Sequence, residues 1–281
     1  MKTICKYMCF AFVVCVVMHM SCKKTQPSNV VNEVTFDTIQ VSDIYHLDGD
    51  STKPSCSLKI SYIAPVGYAD EDILAKIQKE LNILVFEDEL LGSLSPKDAA
   101  DKFTANYIEN YKEEAQTRFP NWAASHEAED YFSFYKTIET LVVYNNADLL
   151  SYQVSSMDYK GGANSFTAYK NAVLNMKTGK LISEDDIFKT GYEKALNQII
   201  IDKILVQNKA KKPEDLLELG FWGIEDLTSN GNFLVDDKGL TYIFSQGEYS
   251  APSLGEIRVI IPYKEVYPIL KDGSPISVFF E

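Results

Sequence analysis

Cysteine is scarce in this chain. Cys5, Cys9 and Cys15 lie in a leader-like N-terminus, Cys22 closes it, and only Cys56 is left for the folded part. An internal disulfide is thereby excluded, so a fold exposed to an oxidising compartment must rest on its hydrophobic core. Cys56 opens an alternating apolar run and reads as a small buried hydrophobe rather than a nucleophile. Histidine is sparse too: beyond His19 of the leader there are His46 and His126. His126-Glu127 begins like a zinc-protease helix, but the residue four positions on is Asp130, so the second ligand is missing. No G-x-S-x-G elbow presents a serine to either histidine. Positive charge is short, with 27 Lys+Arg against 40 Asp+Glu and a formal charge of −13. Such a surface repels phosphate backbones, and no basic stripe interleaved with aromatics offsets it, so nucleic acid is not an expected partner. The same field would draw in a cationic partner.

Long apolar runs are missing as well. The stretch from Tyr7 to Met18 is too short to span a bilayer comfortably, and it follows Lys2 and Lys6 and precedes the small Ser21. This order is that of a secretory signal, read here as residues 1–21. His19 to Cys22 (HMSC) resembles a bacterial lipobox, with His19 and Met20 departing from its usual residues. Cys22 is therefore expected to carry acyl chains, and their burial at roughly 0.8 kcal/mol per CH2 holds a protein on a membrane. Residues 22–44 read as a polar tether broken by Pro27, Asn29 and Asn32, with weak alternation at Val34, Phe36, Ile39 and Val41 predicting an edge strand. Lys23-Lys24 offers no acidic export stretch, so the expected location is the outer membrane, facing the periplasm.

What is plentiful is apolar and aromatic. Hydrophobic residues make up 46% of the 281, with 17 Tyr and 15 Phe. That supports one large or two small cores with aromatic-faced sheets. Cys56, Leu58, Ile60 and Tyr62 alternate with polar residues as a half-buried strand does. Asp70 caps a helix to about Phe86, and Ser95, Pro96 and Asp98 announce a second, with Ala99, Phe103, Tyr107, Tyr111 and Ala115 as its inner stripe. Two alternating runs, Tyr131–Tyr144 and Leu149–Tyr159, are joined by a hairpin signal at residues 145–148. After Gly161-Gly162, a strand should place Phe166, Ala168, Lys170, Ala172, Leu174 and Met176 on one face. Ser183 caps an acidic helical turn. Thr190 with Glu193 predicts the start of a helix to about Leu205, and Pro213 a shorter one to Gly220. Strands are predicted at 232–235, 240–245, 256–261 and finally 276–280. Strands in runs with grouped helices give an α+β class with antiparallel-rich sheets. The expected organisation is two consecutive small domains, 45–150 and 151–281.

Chemical motifs are weak. Asp48 and Asp50 mimic the opening of a calcium loop, but Lys53 and Lys59 stand where its glycine and closing glutamate should be, so no metal is expected. Ser133-Phe-Tyr-Lys136, Tyr144-Asn-Asn146 and Lys177-Thr178-Gly179 follow the order of penicillin-recognising serine enzymes. Ser133 and Lys136, however, lie in a strand pattern that turns them to opposite faces. Paired carboxylates at Glu87–Glu89, Glu127–Asp130 and Glu184–Asp186 could serve a glycan hydrolase, which needs two at a fixed separation. Read locally they are helix-end charges. No catalytic residue and no cofactor is assigned.

Tyr159 to Phe188 (YKGGANSFTAYKNAVLNMKTGKLISEDDIF) and Phe244 to Val266 (FSQGEYSAPSLGEIRVIIPYKEV) together resemble a bacterial envelope domain pair of unknown function. That pair forms the extracellular part of the anti-sigma factor RsiV and the N-terminal part of the peptidoglycan deacetylase PdaC. The shared features are Gly161–Ala163 before a strand, the Asn175–Lys180 hairpin, the acidic turn Asp185–Phe188, Glu248-Tyr249, and Ile261–Tyr263. Asn164 stands where the family often has histidine. With the secretion signal starting at Met1, no cytoplasmic sigma-binding segment is expected, and no deacetylase domain is expected after Glu281. The resemblance implies a non-catalytic binding module for a lysozyme-like protein or a peptidoglycan glycan. Its candidate contacts are Gly161, Gly162, Asn164, Tyr169, Gln246, Glu248 and Tyr249, because loops on a rigid sheet usually carry recognition. A carboxylate-based cell-wall hydrolase and a purely structural accessory lipoprotein are the alternatives. Replacing Cys22 by Ala should abolish lipid labelling and release the protein from membranes; continued membrane retention of C22A would overturn the anchor.

Overall fold

The computed structural model describes residues 31–118, 132–162 and 164–280. The leader with Cys22, Ala163, and the His126–Asp130 cluster lie outside the described residues. Alternation builds a six-stranded sheet in chain order, from β1 (Thr35–His46) and β2 (Ser55–Gly67) through β3 (Phe134–Asn146), β4 (Leu149–Tyr159), β5 (Phe166–Asn175) and β6 (Lys180–Leu181). All neighbours are antiparallel except β2 and β3, which run parallel because two helices carry the chain back between them. These are α1 (Glu71–Phe86) and α2 (Pro96–Arg118). Asp70 accepts from the Ile73 amide at 3.0 Å, and Ser95 accepts from the Asp98 amide at 3.2 Å, as the capping patterns predict. The β3–β4 turn puts Ala147 and Asp148 at φ 55° and 60°, the two left-handed positions of a tight hairpin.

The helices cover one face of this sheet. Ile77, Leu81, Val85 and Ala99 pack on Leu58, Ile60, Tyr62, Ile138, Tyr152 and Leu174, and each large side chain so buried contributes about 1.5–3 kcal/mol. A buried polar pair orients them: Tyr62 donates to Asn82 Oδ1 at 3.0 Å, and Asn82 donates to the Leu94 carbonyl at 2.9 Å. Among the described residues the other face is open over β1 to β3 and the second half of β4, where Ile44 is 57% and Leu141 53% exposed.

The rest of the chain forms α3 (Glu184–Ile187), α4 (Glu193–Gln207), a three-stranded antiparallel sheet of β7 (Phe233–Val235), β8 (Gly239–Phe244) and β9 (Ile257–Pro262), and α5 (Tyr263–Val266). A Cβ on Gly239 would collide with the Ile261 carbonyl, so only glycine lets β8 and β9 close at that point. Leu196, Ile200 and Ile204 of α4 share a core with Phe233, Tyr242, Val259 and Ile261, and Leu149 and Val173 of the large sheet enter that same core.

The two sheets meet along the free edge of β5. Strand β6 is two residues long and pairs only with Leu174 and Asn175. The remaining outward backbone groups are taken up by side chains. Thr167 N–H donates to Gln246 Oε1 at 2.8 Å, Tyr169 N–H to Ser245 Oγ at 3.0 Å, and Asn171 N–H to Asn232 Oδ1 at 2.8 Å. Asn232 in turn donates to the carbonyls of Tyr169 (3.0 Å) and Ile243 (2.8 Å). One residue inward, Ser151 donates to the Val235 carbonyl at 2.5 Å and accepts from its amide at 3.1 Å.

Several expectations are corrected. The six-stranded sheet continues to Leu181, so the boundary drawn at 150/151 falls inside one sheet, at the foot of the β3–β4 hairpin. Strand β1 starts at Thr35, within the stretch read as tether to 44, and Asn32 already donates to the Leu149 carbonyl at 2.8 Å. Phe166 is on the expected face but 50% exposed, because the helices end before reaching it. Thr190 does not cap α4: Gly191 turns the chain at φ 81°, and Tyr192 enters as N-cap, its ring 5.1 Å from that of Phe188. The final strand at 276–280 is instead a 3-10 turn at Ser277–Phe279. There Phe279 stacks on Tyr263 at 4.7 Å, so ring packing decides the conformation.

Asn232→Ala should remove about 1–3 kcal/mol of stability, since it strands the Asn171 amide and leaves the Ile243 carbonyl to Asn230 Nδ2 at 3.1 Å and the Tyr169 carbonyl to Ser245 Oγ at 3.5 Å. Urea unfolding measures it, with faster hydrogen exchange at the Asn171 amide; a loss below about 0.5 kcal/mol, within the ordinary range for surface substitutions, would sink the assignment.

Candidate ligand-binding face

The residues singled out from the sequence fall into two groups. Gly161 and Gly162, at φ 87° and 108°, form the β4–β5 corner, with the Gly162 carbonyl accepting from Tyr159 Oη at 3.0 Å. Asn164 beside them is exposed. The 246–249 loop lies next to the first residues of β5, but its polar groups are spent inside the fold. Gln246 holds Thr167 and donates to the Pro252 carbonyl at 3.0 Å. Glu248 accepts from the Ser245 amide at 2.8 Å and from Asn230 Nδ2 at 3.1 Å. Tyr249 packs edge-on against Phe244 at 5.4 Å and accepts from the Thr228 amide at 3.5 Å. The corner and the loop therefore flank the start of β5 without converging on a shared contact.

Tyr169 is placed differently. Residues opposite one another across the ladders, Thr137, Met157 and Thr167, then Glu139, Ser155 and Tyr169, line a groove of about 230 Å³ on the open face of the large sheet. The Arg258 guanidinium of β9 sits 5.9 Å from the centre of the Tyr169 ring. Burial, with the Glu256 charge second, raises the Tyr169 phenol above its ordinary value, so it stays protonated and able to donate. At the far end of the groove, Tyr135 and Tyr159 stack at 5.1 Å and 15°. The surface thus offers ring faces, hydroxyls and one charge of each sign on a backbone fixed by continuous ladders. Sequence reading missed Glu139, Ser155, Met157 and Arg258. The alternation on β3 and β4 contains the first three, but their neighbours across strands follow only from the register.

The motifs of serine-enzyme type are not brought together. Lys136 pairs with Asp158 at 3.4 Å and Lys177 with Asp148 at 2.6 Å. Those aspartates are ten residues apart on β4, about 33 Å along a strand. Cys56 is buried, and desolvation pushes its thiol up to about 11. The two carboxylate clusters within the described residues serve helix ends. Glu87 closes α1 and pairs with Lys170 at 2.5 Å, while Asp186 accepts from the Ser183 amide at 2.9 Å, a bond that lowers its carboxyl below the ordinary range. In the 47–55 turn Asp48 pairs with Lys53 at 2.6 Å. Among the described residues no group of three or more His, Cys, Asp or Glu could hold a metal ion, and no helix is long and apolar enough to cross a membrane.

Comparison with known proteins matches both parts of the chain. Residues 50–167 match the family described as deacetylase PdaC, and residues 185–264 match a protein family of unknown function, DUF3298. A crystal structure of a DUF3298 family member from Bacteroides fragilis NCTC 9343 is 24% identical, covering 88% of this chain and 99% of that one with a TM-score of 0.81. A DUF3298 family protein from Pseudomonas aeruginosa PAO1 is 15% identical, covering 84% and 95%, with a TM-score of 0.54. No curated protein matches the chain. The resemblance to an envelope domain pair of unknown function is borne out, and the α+β fold is that of the DUF3298 structures.

Proposed function

We propose that the chain is a non-catalytic lipoprotein of the bacterial envelope that binds a lysozyme-like protein or a cell-wall glycan on the open face of its large sheet. The anchor is acylated Cys22, and the body faces the periplasm from the outer membrane. One observation carries this reading: among the described residues no helix covers the groove at Tyr169, where aromatic, hydroxyl and charged groups are held in register across three strands. Rings flanked by hydroxyls suit a sugar, whose ring has an apolar side and a polar rim. They equally suit the aromatic centre of a protein interface. The formal charge of −13 favours a cationic protein among the latter. The PdaC-like and DUF3298 matches support an envelope setting.

Calorimetry with lysozyme and with soluble peptidoglycan fragments tests the reading. Binding to one of them is expected, and Tyr169→Ala should weaken it tenfold or more, about 1.4 kcal/mol, while circular dichroism stays native. Silence toward both ligands would overturn it, as would binding that ignores the loss of Tyr169.

A further inference from the structure

The covered face of the sheet holds a second cavity, of about 230 Å³, where the C-terminal end of α1 and the middle of α2 leave the ends of β3 and β4 uncovered. Its wall is aromatic: the Phe86 and Phe103 rings are 5.1 Å apart, and Tyr107 follows one turn on. Lys136 and Asp158 lie opposite, paired at 3.4 Å with side chains only 16% and 29% exposed. Lys136 belongs to the Ser133–Lys136 motif, whose serine is turned elsewhere and accepts from the Ser55 amide at 3.3 Å.

Two polar atoms in this cavity are left over. Tyr107 Oη and Asp158 Oδ1 are both shielded from solvent, and neither has a hydrogen-bond partner. Leaving such an atom incomplete is costly, and buried polar groups are otherwise almost always paired. The missing complement has definable chemistry. Asp158 Oδ1 requires a donor. The Tyr107 phenol, kept protonated by burial and then by the Asp158 charge, offers a donor and can also accept. The rings require an apolar surface. The charged groups that line the cavity balance, Lys136 and the exposed Lys160 against Asp158 and Glu87, with Lys136 paired to Asp158 and Glu87 to Lys170, so an ion gains little by entering.

We propose that this cavity binds one neutral sugar ring, with the Asp158 and Tyr107 side chains turning toward it so that one hydroxyl donates to Asp158 Oδ1 and a second oxygen meets Tyr107 Oη, and with the apolar side of the ring lying on Phe86 and Phe103. The site is separate from the Tyr169 groove. Lys136 and Asp158 point to the helix side of the sheet, and Thr137, Met157 and Tyr169 to the open side. A volume of this size is enough for a single ring.

Saturation-transfer NMR on the full chain, with methyl glucoside and N-acetylglucosamine as probes, tests it. Transfer to the protons of at least one sugar is expected. Tyr107→Phe and Asp158→Asn should each weaken it tenfold or more, and Tyr169→Ala should leave it unchanged. Tyr107→Phe removes only an unpartnered hydroxyl, so its thermal midpoint should stay level or rise, and it decides the matter alone if Asp158→Asn fails to fold. No transfer from either sugar, or transfer indifferent to Tyr107→Phe, overturns the site. A sugar signal lost in Tyr169→Ala but kept in Tyr107→Phe overturns it while leaving the open-face reading intact.

Discussion

The free edge of β5 is the constraint on which the architecture turns. A sheet edge exposes a row of unpaired amides and carbonyls, and any further strand in solution can add to it. Here the natural next strand, β6, is only two residues long, so most of that edge would remain open. The small sheet closes it with side chains instead of a ladder: Gln246, Ser245 and Asn232 take the amides of Thr167, Tyr169 and Asn171 in turn. Their spacing matches the two-residue period with which strand amides face outward. A carboxamide can accept and donate at once, which is why Asn232 both receives Asn171 and holds Tyr169 and Ile243.

This closure explains why two segments matched by different family models are not independent bodies. Leu149 and Val173 belong to the large sheet yet pack in the core of the small one, and the Ser151–Val235 exchange sits between them, fully buried. The first half of β4 is accordingly buried on both faces, from Leu149 to Val154. A strand of this kind loses its simple alternation, because both sets of side chains are inside.

That loss is also why the domain boundary was not legible in the sequence. Where one face met solvent, as on β2, the period-two pattern gave the strand and its buried set residue by residue. Helix starts were equally readable at Asp70, Ser95 and Ser183, since a cap is a local hydrogen bond between near neighbours. Thr190 misled because the same local pattern was overridden by Gly191 and by the packing of Tyr192 on Phe188. Residues 276–280 alternate like a strand, but no free edge receives them, and the Tyr263 ring does. Of the candidate site, Tyr169 lies in a groove while Gln246 and Glu248 are committed to the scaffold. The role of Gln246 depends on a strand nearly eighty residues earlier in the chain, which no local motif encodes.

The general rule that recognition lives in loops on a rigid sheet therefore meets an exception with a physical cause. A loop can bind only with groups it does not need for itself. Those of the 245–249 loop are used to seal an edge, and releasing Gln246 or Ser245 to a ligand would strand the amides of Thr167 and Tyr169. The flat strands have the opposite economy: most of their backbone groups are satisfied by neighbouring strands, so outward side chains such as Tyr169 are not needed to close the sheet. Recognition on the proposed open face would accordingly be insensitive to loop flexibility and sensitive to strand register, since a one-residue slip would turn Tyr169 from the open face to the helix side.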